Sequence, residues 1–168
     1  MSKVIAIMTN DVEDIEYTSP HDAIVGAGHT VDLVEDTANK PLLGKHGTKY
    51  TTDKGIDDIS ADDYDALLIP GGFSPDQLRA DDRYVNLVKT FLLADKPVFA
   101  ICHGPQLFIQ TGLVKGRTLT AYTTVRPDLY YAGGIVKDQA VVVDRHLVTS
   151  RTPDDLDDFN REILAQLA

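Results

Sequence analysis

Short runs of Val, Ile and Leu recur along the chain at residues 4–8, 31–34, 66–69, 98–101, 141–143 and 147–148. Most are apolar throughout rather than alternating. A strand with one wet face alternates, whereas one covered on both faces does not, so these runs predict a parallel sheet buried between helices. Helical patterns fall between them. Val85, Val88, Phe91 and Leu92 share one face, and Asp95 with Pro97 closes that helix. A helix beginning near Tyr17 is expected to stop at Gly28. At the end of the chain Thr152 suits an N-cap and Pro153 a first turn. Asp154 and Asp155 complement the dipole, and Leu156, Phe159, Ile163, Leu164 and Leu167 form an apolar stripe. Residues 44–53 read as an extended hairpin excursion and residues 133–149 as antiparallel strands at one edge. The alternation predicts an α/β doubly wound sandwich, in one domain spanning residues 1–168.

Composition narrows the function classes. The chain has 168 residues, and 26 acids against 16 bases give a net charge of −10, so neither a nucleic-acid backbone nor an anionic membrane is an expected partner. The apolar run before Thr9 is too short for a signal-peptide core, and a cytoplasmic protein is expected. One cysteine excludes an internal disulfide and leaves Cys102 either an inert core residue or a reactive one.

In open α/β sheets ligands gather outside the carboxyl ends of the strands, and three of those ends carry unusual residues. Cys102 stands where a buried strand meets a helix, with Ala100 two places before and Gly104 two after. Small residues at those places are what a nucleophile elbow needs, and a helix start favours thiolate over thiol. His103 is a candidate general base, or its backbone N–H an oxyanion donor. Pro70, Gly71 and Gly72 end another strand, where paired glycines let backbone N–H groups approach a ligand, or simply make a tight turn. After the first strand come Asp11, Glu13, Asp14 and Glu16. That acidity opposes a phosphate cofactor. A carboxyl among them could donate to a thiolate or orient a base, or could merely cap a solvated helix. Other cysteine classes fit less well. A glutamine amidotransferase needs His-x-Glu, but Leu147 and Val148 follow His146; a C-x5-R phosphatase needs Arg where Phe108 stands; thioredoxin chemistry needs a second cysteine. The five histidines show no metal-ligand spacing, and no metal or cofactor is expected.

Taken with Gly44-Lys45-His46-Gly47, Gly116-Arg117 and the segment from Val148 to Asp155, the block Ala-Ile-Cys102-His103-Gly-Pro-Gln106 resembles the PfpI family. This is the intracellular-protease-like and deglycase-like branch, of peptidase C56 type, of the class I glutamine amidotransferase superfamily. The resemblance implies a flavodoxin-like three-layer α/β/α sandwich with a mainly parallel central sheet and homodimers or homohexamers with sites near the interfaces. It implies Cys102 as nucleophile, His103 as its neighbour, Glu13 as the acid bonded to the sulfur, and Gly71 and Gly72 as the backbone oxyanion region. It places Asp76 where the family more often has Glu reaching His across a subunit interface, a reach shortened here by about one carbon–carbon bond. The expected activity is cysteine-dependent, stress-protective chemistry on reactive carbonyls: glyoxalase III-type conversion of methylglyoxal or glyoxal and deglycation of early protein adducts. The alternatives are an intracellular Cys-His-Asp76 peptidase and a non-enzymatic redox sensor or holdase.

Overall fold

The computed structural model describes residues 1–168. In chain order the elements begin with β1 (Lys3–Ile7), α1 (Asp14–Gly26), β2 (Thr30–Glu35), β3 (Pro41–Leu43), β4 (Lys49–Thr51) and β5 (Lys54–Gly55). Then come β6 (Ala66–Ile69), α2 (Ser74–Leu78), α3 (Asp82–Leu93), β7 (Val98–Ile101) and α4 (Gln106–Ile109). The chain closes with β8 (Thr118–Leu119), α5 (Arg126–Tyr131), β9 (Ile135–Val136), β10 (Val141–Asp144), β11 (Leu147–Ser150) and α6 (Leu156–Leu167). No helix is long and apolar enough to cross a membrane.

Seven strands form the central sheet in the order β10-β11-β7-β6-β1-β2-β5, parallel except at the β10–β11 pair. Alternate residues divide its core in two. Ile5, Ile7, Leu67, Ile69, Val98 and Ala100 pack beneath α3, α4 and α5. Val4, Ala6, Leu68, Phe99 and Ile101 pack on the opposite face against residues of α1 and α6, such as Ile24 and Phe159. Every side chain of β6 and β7 is buried, which explains why their sequences do not alternate. The result is a flavodoxin-like α/β/α sandwich. Chain order runs outward from β1 toward β2 on one side and toward β6 on the other, so a crevice opens above the carboxyl ends of β1 and β6.

Four local differences matter. First, α1 begins at Asp14 rather than near Tyr17, because Glu13 already has an extended backbone and its carbonyl accepts from the Glu16 N–H at 2.9 Å. Second, α4 is a single turn starting four residues beyond Cys102, too short and too distant for the helix-dipole effect expected at the thiol. Third, β9 leaves the edge and pairs in parallel with β8, so only β10 and β11 form the antiparallel edge. Fourth, Thr152 starts a 3₁₀ turn without side-chain capping, and Asp155 instead takes a two-pronged ion pair from Arg151. The hairpin expected at 44–53 starts earlier, with β3 at Pro41–Leu43 pairing antiparallel to β4 at Lys49–Thr51 and residues 44–48 forming its turn.

Candidate active site

A sharp turn at the end of β7 presents the thiol. Cys102 has φ of +62°, a left-handed conformation that non-glycine residues rarely hold, and the surrounding structure fixes it. Its N–H donates to the Ser150 carbonyl at 3.0 Å and its carbonyl accepts from the Tyr122 N–H at 2.9 Å. Gly104 completes the turn, since a Cβ there would lie 2.5 Å from the Ile69 carbonyl oxygen. This is the steric need that the small residue two places past the cysteine implied.

The loop after β6 closes on the same point. Gly72 has φ of +73°, and a Cβ would lie 2.3 Å from the Glu13 nitrogen; the Phe73 N–H donates to the Asp11 carbonyl at 2.9 Å. This stitching draws the loops after β1 and β6 over Cys102. The resulting cleft, of about 850 Å³, is lined by Cys102, Glu16, Gly72, His103, Gln106 and Tyr122, with Asp11, Glu13, Lys45, Phe73, Asp76 and Pro153 around them.

The acid beside the sulfur is Glu16, which corrects the expectation for Glu13. One turn into α1, Glu16 points under the glycine loop with no exposed surface, and its Oε1 accepts from the Gly71 N–H at 3.0 Å. Its Oε2 is buried with no hydrogen-bond partner, and the carboxyl and the Cys102 side chain flank the same glycine, since a Cβ on Gly71 would lie 2.5 Å from Glu16 Oε1 and 2.9 Å from Cys102 Cβ. Burial, reinforced by the charge of Glu13, pushes the Glu16 carboxyl up to about 8, so it is neutral at pH 7. Glu13 points the other way. Its Oε1 lies 2.7 Å from His46 Nε2 and its Oε2 3.5 Å from Lys45 Nζ.

Burial pushes the Cys102 thiol up, as would the charge of an ionised Glu16; the N–H groups of His103 and Gly72, directed at the sulfur, pull it down. With the proton on Glu16 the repulsion vanishes and its O–H becomes a donor to sulfur. Burial thus holds a proton on both groups at rest, and the two titrate as a coupled pair. Gly71 is corrected as an oxyanion donor, because Glu16 already occupies its N–H. The backbone N–H groups of Gly72 and His103 are the ones that act on the sulfur.

His103 turns toward the thiol, with Nδ1 3.3 Å from Sγ, and its ring stacks on Tyr122 at 4.8 Å between centroids. Burial and then the charge of Lys45 hold its imidazole below the usual value, while Asp76 acts oppositely. The ring is neutral at pH 7 and able to take a proton. Asp76 makes no hydrogen bond to His103 within the chain, so it completes no triad there.

Glu13, Asp14 and His46 bring ligand-type atoms within 4.8 Å of one another, a proximity hidden by sequence spacing. Both Asp14 oxygens accept backbone N–H groups, from Thr48 and His46, and Lys45 stands against Glu13. That donor set fits an ion-paired cluster rather than a cation site. Gly44 permits it, since a Cβ would lie 1.9 Å from Asp14 Oδ1.

Glu16 and Tyr122 were not singled out by sequence reasoning. Glu16 carried a usable signal: Pro20 and Ile24, four and eight residues on, share its buried face of α1. Tyr122 carried none.

A model described as the DJ-1/PfpI family matches residues 2–166. A Staphylococcus aureus protein described only as uncharacterized is 58 % identical over 167 residues, covering 98 % of each chain. A crystal structure of a two-domain Anabaena variabilis protein, with DJ-1/ThiJ/PfpI-like and ferritin-like domains, superposes with a TM-score of 0.96 at 34 % identity. The match covers 99 % of this chain and 48 % of that one, so the chain spans about half of that larger protein. Schizosaccharomyces pombe DJ-1 has a TM-score of 0.89 at 26 % identity, covering 99 % of this chain and 92 % of that one.

Proposed function

This chain belongs to the DJ-1/PfpI family, and on that premise we propose that it is a stress-protective enzyme using Cys102 to convert small reactive carbonyls. The family includes cysteine-dependent enzymes, and membership supports a stress-related function. The observation that carries the reading is the Glu16 carboxyl: wholly buried, neutral at pH 7 and set beside Cys102 against Gly71. A neutral acid there stabilises a thiolate and supplies a proton once the thiolate has reacted.

With methylglyoxal, the Cys102 thiolate adds to the aldehyde carbon and Glu16 protonates the new alkoxide, giving a hemithioacetal. Either His103 or the Glu16 carboxylate then takes the proton from that carbon. Electrons move through an enediol, and a proton returns at the neighbouring carbon, leaving a lactoyl thioester. Water cleaves the thioester to lactate and restores the thiol, so one water is consumed per turnover. The N–H groups of Gly72 and His103 face the sulfur, where they can stabilise oxyanions formed beside it. Hemiaminals of methylglyoxal on protein amines carry the same reactive carbon, and their deglycation belongs to the same proposal.

The peptidase reading needs Asp76 to engage His103, and within one chain it does not. Lactate formation from methylglyoxal by wild type, Cys102→Ser and Asp76→Ala tests both readings. We expect Cys102→Ser to abolish turnover and Asp76→Ala to retain it. Persistent turnover in Cys102→Ser would remove the proposal; peptide cleavage that depends on Asp76, without aldehyde turnover, would replace it.

A further inference from the structure

Gln106 lines the cleft with Cys102 and is the one amide side chain there. Tight turns carry it to that place: the Gly104 N–H donates to the Ile101 carbonyl at 2.8 Å and the Gln106 N–H to the His103 carbonyl at 3.0 Å. The next two residues, Leu107 and Phe108, enter the core, so the start of α4 is held from behind. The amide itself is unpaired. Its Oε1 is buried with no hydrogen-bond partner, whereas Nε2 is not buried, so the carbonyl end points into the protein and the N–H groups outward. An unpaired buried oxygen is costly, and folded proteins retain few of them. Nearby polar groups are already engaged: Lys45 with Glu13, the Gly71 N–H with Glu16, and His103 with the sulfur and the Tyr122 ring. We propose that Gln106 is a specificity-determining residue of the cleft, its outward N–H donating to a carbonyl oxygen one carbon away from the carbon that the sulfur attacks.

That second oxygen is what separates a 1,2-dicarbonyl from a plain aldehyde. Once the Cys102 sulfur has bonded to the aldehyde carbon, the neighbouring carbonyl oxygen still needs a donor. It gains negative charge when the proton leaves the attacked carbon and electrons move into the enediol, and a fixed N–H stabilises it there. An amide donates without titrating, so this contact holds at every pH at which the thiolate forms. The selected class is 1,2-dicarbonyls and their hemiaminals, with plain aldehydes disfavoured. This deepens the reading of Cys102 as a nucleophile toward reactive carbonyls and rests on it.

The experiment compares two alkylating reagents on the full chain, each losing iodide as the Cys102 sulfur bonds to its carbon. Iodoacetamide carries a carbonyl next to that carbon, and iodomethane does not. The ratio of their rates cancels the thiolate fraction, which both reactions share. In Gln106→Met and Gln106→Leu the ratio should fall about fivefold, the usual scale for one hydrogen bond. The kcat/KM for methylglyoxal should fall with it. Both variants should melt at or above wild type, because they remove an unpaired polar group. An unchanged ratio, or melting temperatures well below wild type in both variants, would overturn the assignment. Alkylation does not depend on aldehyde turnover. A lowered ratio in a protein that converts no methylglyoxal would sink the carbonyl reading alone. Cys102-dependent turnover with an unchanged ratio would sink the Gln106 assignment alone.

Discussion

At Glu16 two requirements meet. A carboxyl with no exposed surface and one oxygen lacking a nitrogen or oxygen partner is costly to ionise, yet it adjoins a thiol that reacts only when ionised. Keeping the proton on the carboxyl oxygen, as carboxylic acid, satisfies both. The cost of ionisation is also a stability statement. Glu16 holds its proton up to about pH 8 when folded, against an ordinary value of 4.5, so the folded state binds the extra proton between these values. Its contribution is fully present below pH 4.5 and is lost as pH rises through 8. Glu16→Gln has no such loss, so its melting temperature relative to wild type should climb from pH 5 to pH 9. The free-energy advantage at the upper end should be roughly 2–4 kcal/mol. A difference that stays flat with pH would show that Glu16 does not retain its proton. The identity of this residue was only half legible in the sequence. Four acids at positions 11–16 marked the right strand end, but choosing among them needed the start and phase of α1, and the family resemblance had placed the role on Glu13. Helix boundaries are set by capping and tertiary contacts, which periodicity does not record.

Among the elements, the elbow and the glycine loop were the most legible because sterics leave few alternatives. Gly72 and Gly112 make a natural comparison, since both hold φ of +73°. A Cβ at Gly72 would lie 2.3 Å from the Glu13 backbone nitrogen, whereas at Gly112 it would meet nothing within 4 Å. Gly112→Ala should therefore cost only the left-handed backbone, about 1 kcal/mol, and Gly72→Ala should cost roughly 2 kcal/mol more, by urea denaturation. Equal losses would mean that the loop over Cys102 is slack. Central strands were read correctly for a similar reason: burial on both faces forces unbroken apolar runs. Short elements without a buried period were not. The two-residue β9 pairs with β8 rather than at the edge, and α4 begins four residues past the junction where a helix start was expected, because such elements take their form from neighbours more than from their own sequence.

For the whole molecule, the sheet's topology does the assembling. Loops after β1, β6 and β7 are far apart in the chain, yet their strands are adjacent, which brings Glu16, Gly72 and Cys102 to one cleft. The net charge of −10 acquires a local meaning there. Asp11, Glu13 and Asp76 share that cleft with Lys45, and the acid closest in chemistry to the thiol is the one without charge at pH 7. The most direct test is the kcat for methylglyoxal conversion to lactate in Glu16→Gln beside Glu13→Gln. Glu16→Gln loses the proton donor and should fall at least about a hundredfold, the usual scale for a positioned general acid. Glu13→Gln should fall only severalfold. Near-wild-type turnover in Glu16→Gln, or a larger loss in Glu13→Gln, would contradict the account.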